Sequence, residues 1–414
     1  MSSPEYSDHF SITNIPFGVA SCESHPNPQC VTRLGNKVIF LVDIQRSGVF
    51  SNITGLLEGI FDSPTLNEYA ALPRSIHREV RRVLQETLKK PLPVGFAENI
   101  GAVTLYLPIA VGGFTDFSCS VHHVRNAGRI IINDESVPPG FFSFPIGYNG
   151  RASTICVSGT PIVRPKGHFF DHSSPSEKKP IIYGPSQAMD YELEVGVIIG
   201  NGVSKLQGLD ARDANDHIFG MVLLNDWSDV VPARDIQGCE MMPLGPLNGK
   251  SFGTSISPWV VTLDALEPFA TPGPNPEVAL ASHLEDDVNK SSYEINFKVE
   301  IISGQHVTTV SESKFTDLHW NGPQMAAHLA STGADLRTGD ILGTGTVSGP
   351  NEGSFGCLLE TTKAGKEPIT LTDGSERKLL LDGDIVRMTG VVGGVNSGVG
   401  FGECVGQLVA AVDI

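Results

Sequence analysis

The chain is 414 residues long, with 46 acidic against 29 basic side chains and a formal net charge of −17. That length allows two domains with ample cores, and the absence of any basic block or Arg-rich stripe sets nucleic acid aside as a partner. Seven cysteines, odd in number and never in C-x-x-C spacing, read as free thiols of a reducing compartment; with no signal-peptide pattern and no apolar run of membrane-spanning length, the expected location is the cytoplasm.

From Phe10 to Val42 the signals are short strands, the clearest a hairpin of Val31–Leu34 and Val38–Val42 around Gly35-Asn36. Ser63-Pro64 has the form of an N-cap with a first-turn proline. Ser75–Lys90 places Ile76, Val80, Val83, Leu84 and Leu88 at helical spacing before Pro91 ends the run. Val103–Pro108 reads as a strand leading out, so a boundary falls between Pro108 and Thr115 and divides the chain into domains 1–114 and 115–414. Beyond it, Gly, Pro and Asp-Gly turns, including Asp373-Gly374 and Asp382-Gly383, punctuate many short apolar runs. Helices are expected only in a few places, notably Ala211–Ile218 and Pro323–Ser331, which argues for a β-rich fold (mixed β with few helices) and against alternating βαβ units.

The stretch from Asp190 to Thr254 carries acids, amides and bases inside otherwise apolar segments. In D-Y-E-L-E-V, Asp190–Val195, the period of a strand sends Glu192 and Glu194 to one face, ~7 Å apart, and Leu193, Val195 and Val197 to the other. The V-G-V-I-I that follows reads as a buried strand, and Met221–Leu224 as a second that delivers Asp226 at its end. Carboxylates held there unpaired are costly. A divalent cation removes that penalty, and an all-oxygen set suits Ca²⁺, Mg²⁺ or Mn²⁺. A solvated edge strand is the plainer reading of an isolated E-x-E; Asp226, flanked by Leu224 and Trp227, argues against it. Other apparent motifs drop out. Gly245–Ser251 has three residues, not four, between its glycines and is no P-loop; Gly343–Gly349 does not fit G-x-G-x-x-G; Ser348 lacks a G-x-S-x-G frame.

The runs P-I-G-Y-N-G-R-A-S (Pro145–Ser153), V-S-G-T-P-I (Val157–Ile162), H-I-F-G-M-V-L-L-N-D-W (His217–Trp227), M-P-L-G-P (Met242–Pro246), G-T-V-S-G-P (Gly345–Pro350) and L-L-L-D-G-D (Leu379–Asp384) together resemble the fumarylacetoacetase family, continuously from about Thr115 to the C-terminus. The resemblance implies a small N-terminal SH3-like barrel plus a C-terminal mixed β-sandwich roll, assembled as a homodimer. It implies hydrolysis of a carbon–carbon bond in a 1,3-diketo acid, 4-fumarylacetoacetate in the family, at the end of tyrosine and phenylalanine breakdown. Asp116, Glu192, Glu194 and Asp226 match the ligands of a Ca²⁺ ion, with a Mg²⁺ site near Asp226, Lys250 and Thr254. His123, seven residues after Asp116 on an expected loop, matches the base that activates water, with Glu360 orienting it and His122 as a neighbour without a role.

Arg234, Gln237 and Lys250 match the groups that stabilise the oxyanion and the departing enolate. Among substrate contacts, Tyr148, Gln237 and Thr346 keep the family's identities, whereas Ser118, Ile132 and Met241 stand where the family has tyrosine, arginine and tyrosine. Four residues, Asp229-Val230-Val231-Pro232, separate N-D-W-S from A-R-D-I-Q, which the family joins directly. These departures leave open a related acylpyruvate hydrolase or decarboxylase acting on another diketo acid, or a weakly active metal-binding paralogue.

Overall fold

The computed structural model describes residues 4–171, 173–229, 236, 240 and 245–413. Near the N-terminus, Phe17–Ser21, Gln29–Leu34 and Lys37–Phe40 form an antiparallel meander, with Ala97–Asn99 and Thr104–Leu105 at its two edges. Gly35, at φ 55°, takes the left-handed position that turns the hairpin. Leu41 and Val42, expected to extend the second hairpin strand, instead open a helix, Leu41–Arg46, that buries Leu41, Val42 and Ile44. Leu41 and Ile44 stand three apart, which a helical turn places on one face. The helix Arg74–Thr87 buries His77, Val80, Arg81 and Leu84, and the Arg81 guanidinium donates to the carbonyls of Thr13 and Asn14.

The larger part of the chain is built on two sheets. In the central one the strands run in the order Gly147–Asn149, Phe114–Phe117, Ile341–Gly343, Leu193–Ile199, Ile218–Asp226, Thr254–Ile256, Ile155–Val157. Its two middle strands are buried along their whole length, which is why they read as continuous apolar runs without alternation. The helix expected at Ala211–Ile218 shrinks to one turn, Ala214–Asp216, because Ile218 already belongs to the strand. The helix expected at Pro323–Ser331 is Gly322–Ala330, opened by an Asn321–Gln324 capping box.

Side-chain parity along the central sheet decides what lies on each side. Leu193, Val195, Val197, Met221 and Leu223 enter one core with Phe297, Val299, Val386, Met388 and Phe401 of the second sheet. Ile198, Phe219, Val222, Leu224 and Ile341 point the other way and share a core with Phe17, Val19, Tyr69 and Val80 of the N-terminal unit. The result is a β-rich sandwich whose central layer is covered by a second sheet on one side and by the N-terminal unit on the other. Asp116, Glu194 and Asp226 have the parity of Phe114, Ile198 and Leu224, so they project on the N-terminal side of the sheet. No described helix is long and apolar enough to cross a membrane.

Phe219 is the aromatic pivot of the second core, its ring centroid 5.2 Å from His77, 5.7 Å from Tyr69 and 6.1 Å from Phe17. Phe219→Ala should lower stability by about 3–5 kcal/mol, seen as an earlier denaturant midpoint with an unchanged slope.

Candidate active site

Strand register gathers the acids. Asp116 lies opposite Gly343, Gly343 opposite Gly196, and Glu194 opposite Leu224, while the Asp226 amide donates to the Glu192 carbonyl at 3.1 Å. Carboxylate oxygens of Asp116, Glu194 and Asp226 come within 4.8 Å of one another, all three residues being buried. The space between them depends on Gly343, where a Cβ would sit 2.8 Å from Glu194 Oε2 and 2.9 Å from Asp116 Oδ1. Burial, then the charge of Asp226, pushes the Asp116 carboxyl up to about 7. Burial followed by the charges of Asp116 and Asp226 lifts Glu194 well above the carboxylate range. Burial also raises Asp226, with Lys250 opposing. Asp116 Oδ1 and Glu194 Oε1 meet no hydrogen-bond donor among the described residues. Crowded, partly orphaned carboxylate oxygens around a glycine-made space fit a hard divalent cation.

Glu192, the fourth acid singled out in the sequence, stands beside this triad. Its carboxylate accepts a hydrogen bond from Lys250 Nζ, which also donates to Asp226 Oδ2 at 2.7 Å. Burial works against the Lys250 charge, but Asp226 and Glu192 outweigh it and raise its pKa well above the ordinary value. Thr254 Oγ1 donates to Asp226 Oδ1 at 2.8 Å, and the Tyr148 hydroxyl to Asp226 Oδ2 at 3.2 Å.

The segment from Asp116 to His123, expected as a loop, is a strand running into a helix. Asp116 belongs to Phe114–Phe117, and His123 to the first turn of Val121–Ile132, whose N-cap Ser120 accepts from the His123 amide at 3.2 Å. A serine ahead of Val121 was the available signal. His123 Nδ1 meets Glu360 Oε2 at 2.8 Å. Burial disfavours the charge of each partner, yet the ion pair and its hydrogen bonds prevail, lifting His123 and depressing Glu360. Glu360 sits in the short helix Leu358–Thr361. The start of that helix is clamped by Asp190, which accepts from Leu358 N at 2.8 Å and Leu359 N at 2.6 Å. Asp190 lies far from that helix in sequence, and no local pattern marks this role.

One cavity of about 1110 Å³ is lined by Asp116, Ser118, His123, Tyr148, Glu192, Lys250 and Thr346, with Ala127, Ile131, Pro138, Ile146 and Leu247 on its apolar wall. Ile132 is 70% exposed at the end of its helix; Ile131, one residue earlier, faces the cavity instead. Asp229, first of the four inserted residues, pairs with Met189 in a short strand. Val230, Val231, Pro232, Arg234, Gln237 and Met241 lie outside the described residues.

An acidic oxygen cluster, a buried lysine and a His–Glu pair around one cavity of a β-rich fold define a hydrolytic class of site. A family model described as Fumarylacetoacetate (FAA) hydrolase C-terminal matches residues 113–409, and one described as Fumarylacetoacetase N-terminal matches residues 13–105. Fumarylacetoacetase of Arabidopsis thaliana is 40% identical over 97% of this chain and 96% of its own length. The Homo sapiens enzyme is 37% identical over 97% of each chain. A solved fumarylacetoacetate hydrolase from Exiguobacterium antarcticum superposes with a TM-score of 0.52 at 14% identity, covering 96% of this chain and 99% of that one. A maleylpyruvate hydrolase from Sphingobium sp. SYK-6, solved with manganese(II) and pyruvate, gives 0.52 at 14% identity over 95% and 100%. The chain belongs to the fumarylacetoacetase family.

The carboxylate cluster yields a stability test. In chelator, Glu194→Gln should unfold no earlier than the native chain, because burial and its acidic neighbours already hold the Glu194 carboxyl toward the neutral form that glutamine mimics. With a saturating divalent cation the native chain should gain melting temperature and the variant much less. Without metal, native stability should rise as the pH falls below about 7: the folded pKa of Asp116 is raised to about 7, so the folded state binds more protons than the unfolded state between that value and ~4. Stability is correspondingly lost as the pH rises through that window.

Proposed function

We propose that this chain hydrolyses the carbon–carbon bond of 4-fumarylacetoacetate, giving fumarate and acetoacetate, the reaction after which its relatives are named. The observation that most directly supports the reading is one cavity lined by His123, Asp116, Glu192 and Lys250, with Glu360 hydrogen-bonded to His123, Glu194 and Asp226 clustered with Asp116, and Asp226 accepting from Lys250.

His123 is the base. With Nδ1 hydrogen-bonded to Glu360, Nε2 is left to take a proton from water, and Glu360 stabilises the imidazolium that forms. The hydroxide adds to the ketone; the carbon–carbon bond then breaks with its electron pair leaving on the acetoacetate carbon as an enolate, which is protonated in turn. The charged Lys250 provides positive potential beside that enolate, with Gln237 as a further donor and Arg234 for the oxyanion. Tyr148 and Thr346 orient the substrate. Asp116, Glu192, Glu194 and Asp226 would hold a divalent cation, which would supply Lewis acidity to the site. We assign Ca²⁺ to that set and Mg²⁺ to the neighbourhood of Asp226, Lys250 and Thr254. A division of the chain at residues 1–114 and 115–414, a homodimer and a cytoplasmic location complete the reading.

The assay is loss of fumarylacetoacetate with both products quantified. His123→Ala should lower kcat by roughly two to four orders of magnitude with metal content unchanged, His122→Ala should be nearly neutral, and Asp226→Asn should lose both metal and activity while remaining folded. No turnover of fumarylacetoacetate in the presence of divalent cations, or full activity of His123→Ala, sinks the reading. Lys250 is the one lysine or arginine among the described lining residues, and Ser118 stands in that lining where the family has a tyrosine to meet the far carboxylate of the substrate. Ser118→Tyr, which offers it a hydroxyl, should lower KM and leave kcat close to its original value.

A further inference from the structure

Neither Asn126 nor Ser348 belongs to the reaction derived above, yet both end on the same carboxylate as His123. Asn126 Nδ2 donates to Glu360 Oε1 at 2.9 Å. Ser348 Oγ donates at 2.6 Å to Oε2, the oxygen that also receives His123 Nδ1 at 2.8 Å. Asn126 follows His123 by three residues in the same helix, so the two side chains share a face and one helical turn grips both oxygens of Glu360. Ser348 fixes the other side. Its hydroxyl accepts from Gly356 N at 2.9 Å, and its carbonyl accepts at 2.8 Å from Ser120 Oγ, the group that caps the helix at His123. The Cys357 thiol adds a weak donor 3.3 Å from Oε2. Helix, carboxylate, Ser348 and Ser120 therefore close a ring, and a carboxylate that could otherwise rotate about its terminal bond has both oxygens pinned.

A carboxylate orients a base only while its lone pair stays on the ring N–H. Neutral donors to that carboxylate also lower its proton affinity, so the proton taken from water stays on the imidazole until the product needs it. We propose that Asn126 and Ser348 are positioning residues, holding Glu360 ionised and aimed at His123 Nδ1 so that Nε2 is presented to water. This rests on the reading of His123 as the base. The other charges felt by His123 are Glu192 and Lys250, and neither is altered by substitution at Asn126 or Ser348.

The test is a kinetic cycle on the metal-loaded full chain with fumarylacetoacetate. Asn126→Leu should lower kcat roughly 10- to 100-fold, as expected for loss of a hydrogen bond to a charged group, with KM and metal content little changed. The acidic limb of kcat/KM should move to higher pH, since the imidazolium then faces a carboxylate with fewer donors and releases its proton less readily. Asn126→Gln, which keeps a donor amide, should recover part of the loss. In a Glu360→Gln background Asn126→Leu should cost little more, because both changes act through one carboxylate. Ser348→Ala carries the same cycle if Asn126→Leu does not fold. A loss of equal size in the native and Glu360→Gln backgrounds, or a fall in kcat with the acidic limb unmoved, overturns the proposal. His123→Ala separates the two levels. Full activity of that variant removes the base reading itself, whereas an inactive His123→Ala with additive Asn126→Leu removes only the positioning role.

Discussion

Like charges are forced together at the end of the central sheet, and the rest of the molecule is arranged to withstand it. Asp116, Glu194 and Asp226 sit within 4.8 Å of one another because three strands meet in fixed register, not because the acids attract. A slip of one residue along Leu193–Ile199 would turn every acid toward the core and every core residue toward the site. The strand is held against that slip by packing on both faces: Leu193, Val195 and Val197 in one core, Ile198 in the other. Without a cation, Lys250 is the internal counter-charge, but one ammonium cannot keep four acids ionised, and burial with mutual repulsion drives Asp116 and Glu194 toward their protonated forms. That deficit is the physical reason a divalent cation belongs there.

The His–Glu pair is tied to the same strand. Asp190 clamps the helix that carries Glu360, and Glu192, two residues on, pairs as an isolated bridge with Cys357. One residue further along, the Leu193 amide donates to Gly356 O at 2.9 Å, and the Val347 amide to Leu193 O at 2.8 Å. Two parts of one site, the acids and the His123–Glu360 pair, are thus spaced by backbone hydrogen bonds of a doubly buried strand. Such spacing is stiffer than side-chain contact can provide, and it suits a reaction in which the attacking water and the polarised ketone must meet at a fixed separation.

What the sequence made legible follows the same division. The alternation in Asp190–Val195 and the apolar runs after it disclose which acids lie inside, because period two survives burial. Where two periods compete, local reading fails: Leu41-Val42 continue an apparent strand but turn into a helix, and Ile218 leaves an expected helix for a strand. Counting along the chain does not say which of two neighbouring residues faces a cavity, since each residue of a helix is rotated about 100° from the last; here Ile131 lines it and Ile132 is exposed. Parity groups Glu192 with Glu194, but it does not disclose that Lys250 donates to the Glu192 carboxylate. The roles of Asp190 and Asn126 rest on contacts 168 and 234 residues away. No local pattern encodes a contact of that span.

The reaction centre and the cavity wall stand on different supports, and that bears on how the two can vary. The acids, Glu360 and Thr346 sit on or beside the central sheet, whereas Ala127, Ile131, Pro138, Ile146 and Leu247 come from later turns of a helix and from loops. Changes in the wall alter uniform binding and appear in KM; changes in the centre alter what is held only in the transition state and appear in kcat. Lys250 is where the two meet. It lies in the turn Asn248–Lys250, whose approach is braced by Glu240 accepting from Leu247 N at 2.8 Å, and Leu247 itself forms part of the wall. A wall residue and the ammonium that donates to Glu192 and Asp226 are thus only three residues apart in one short turn.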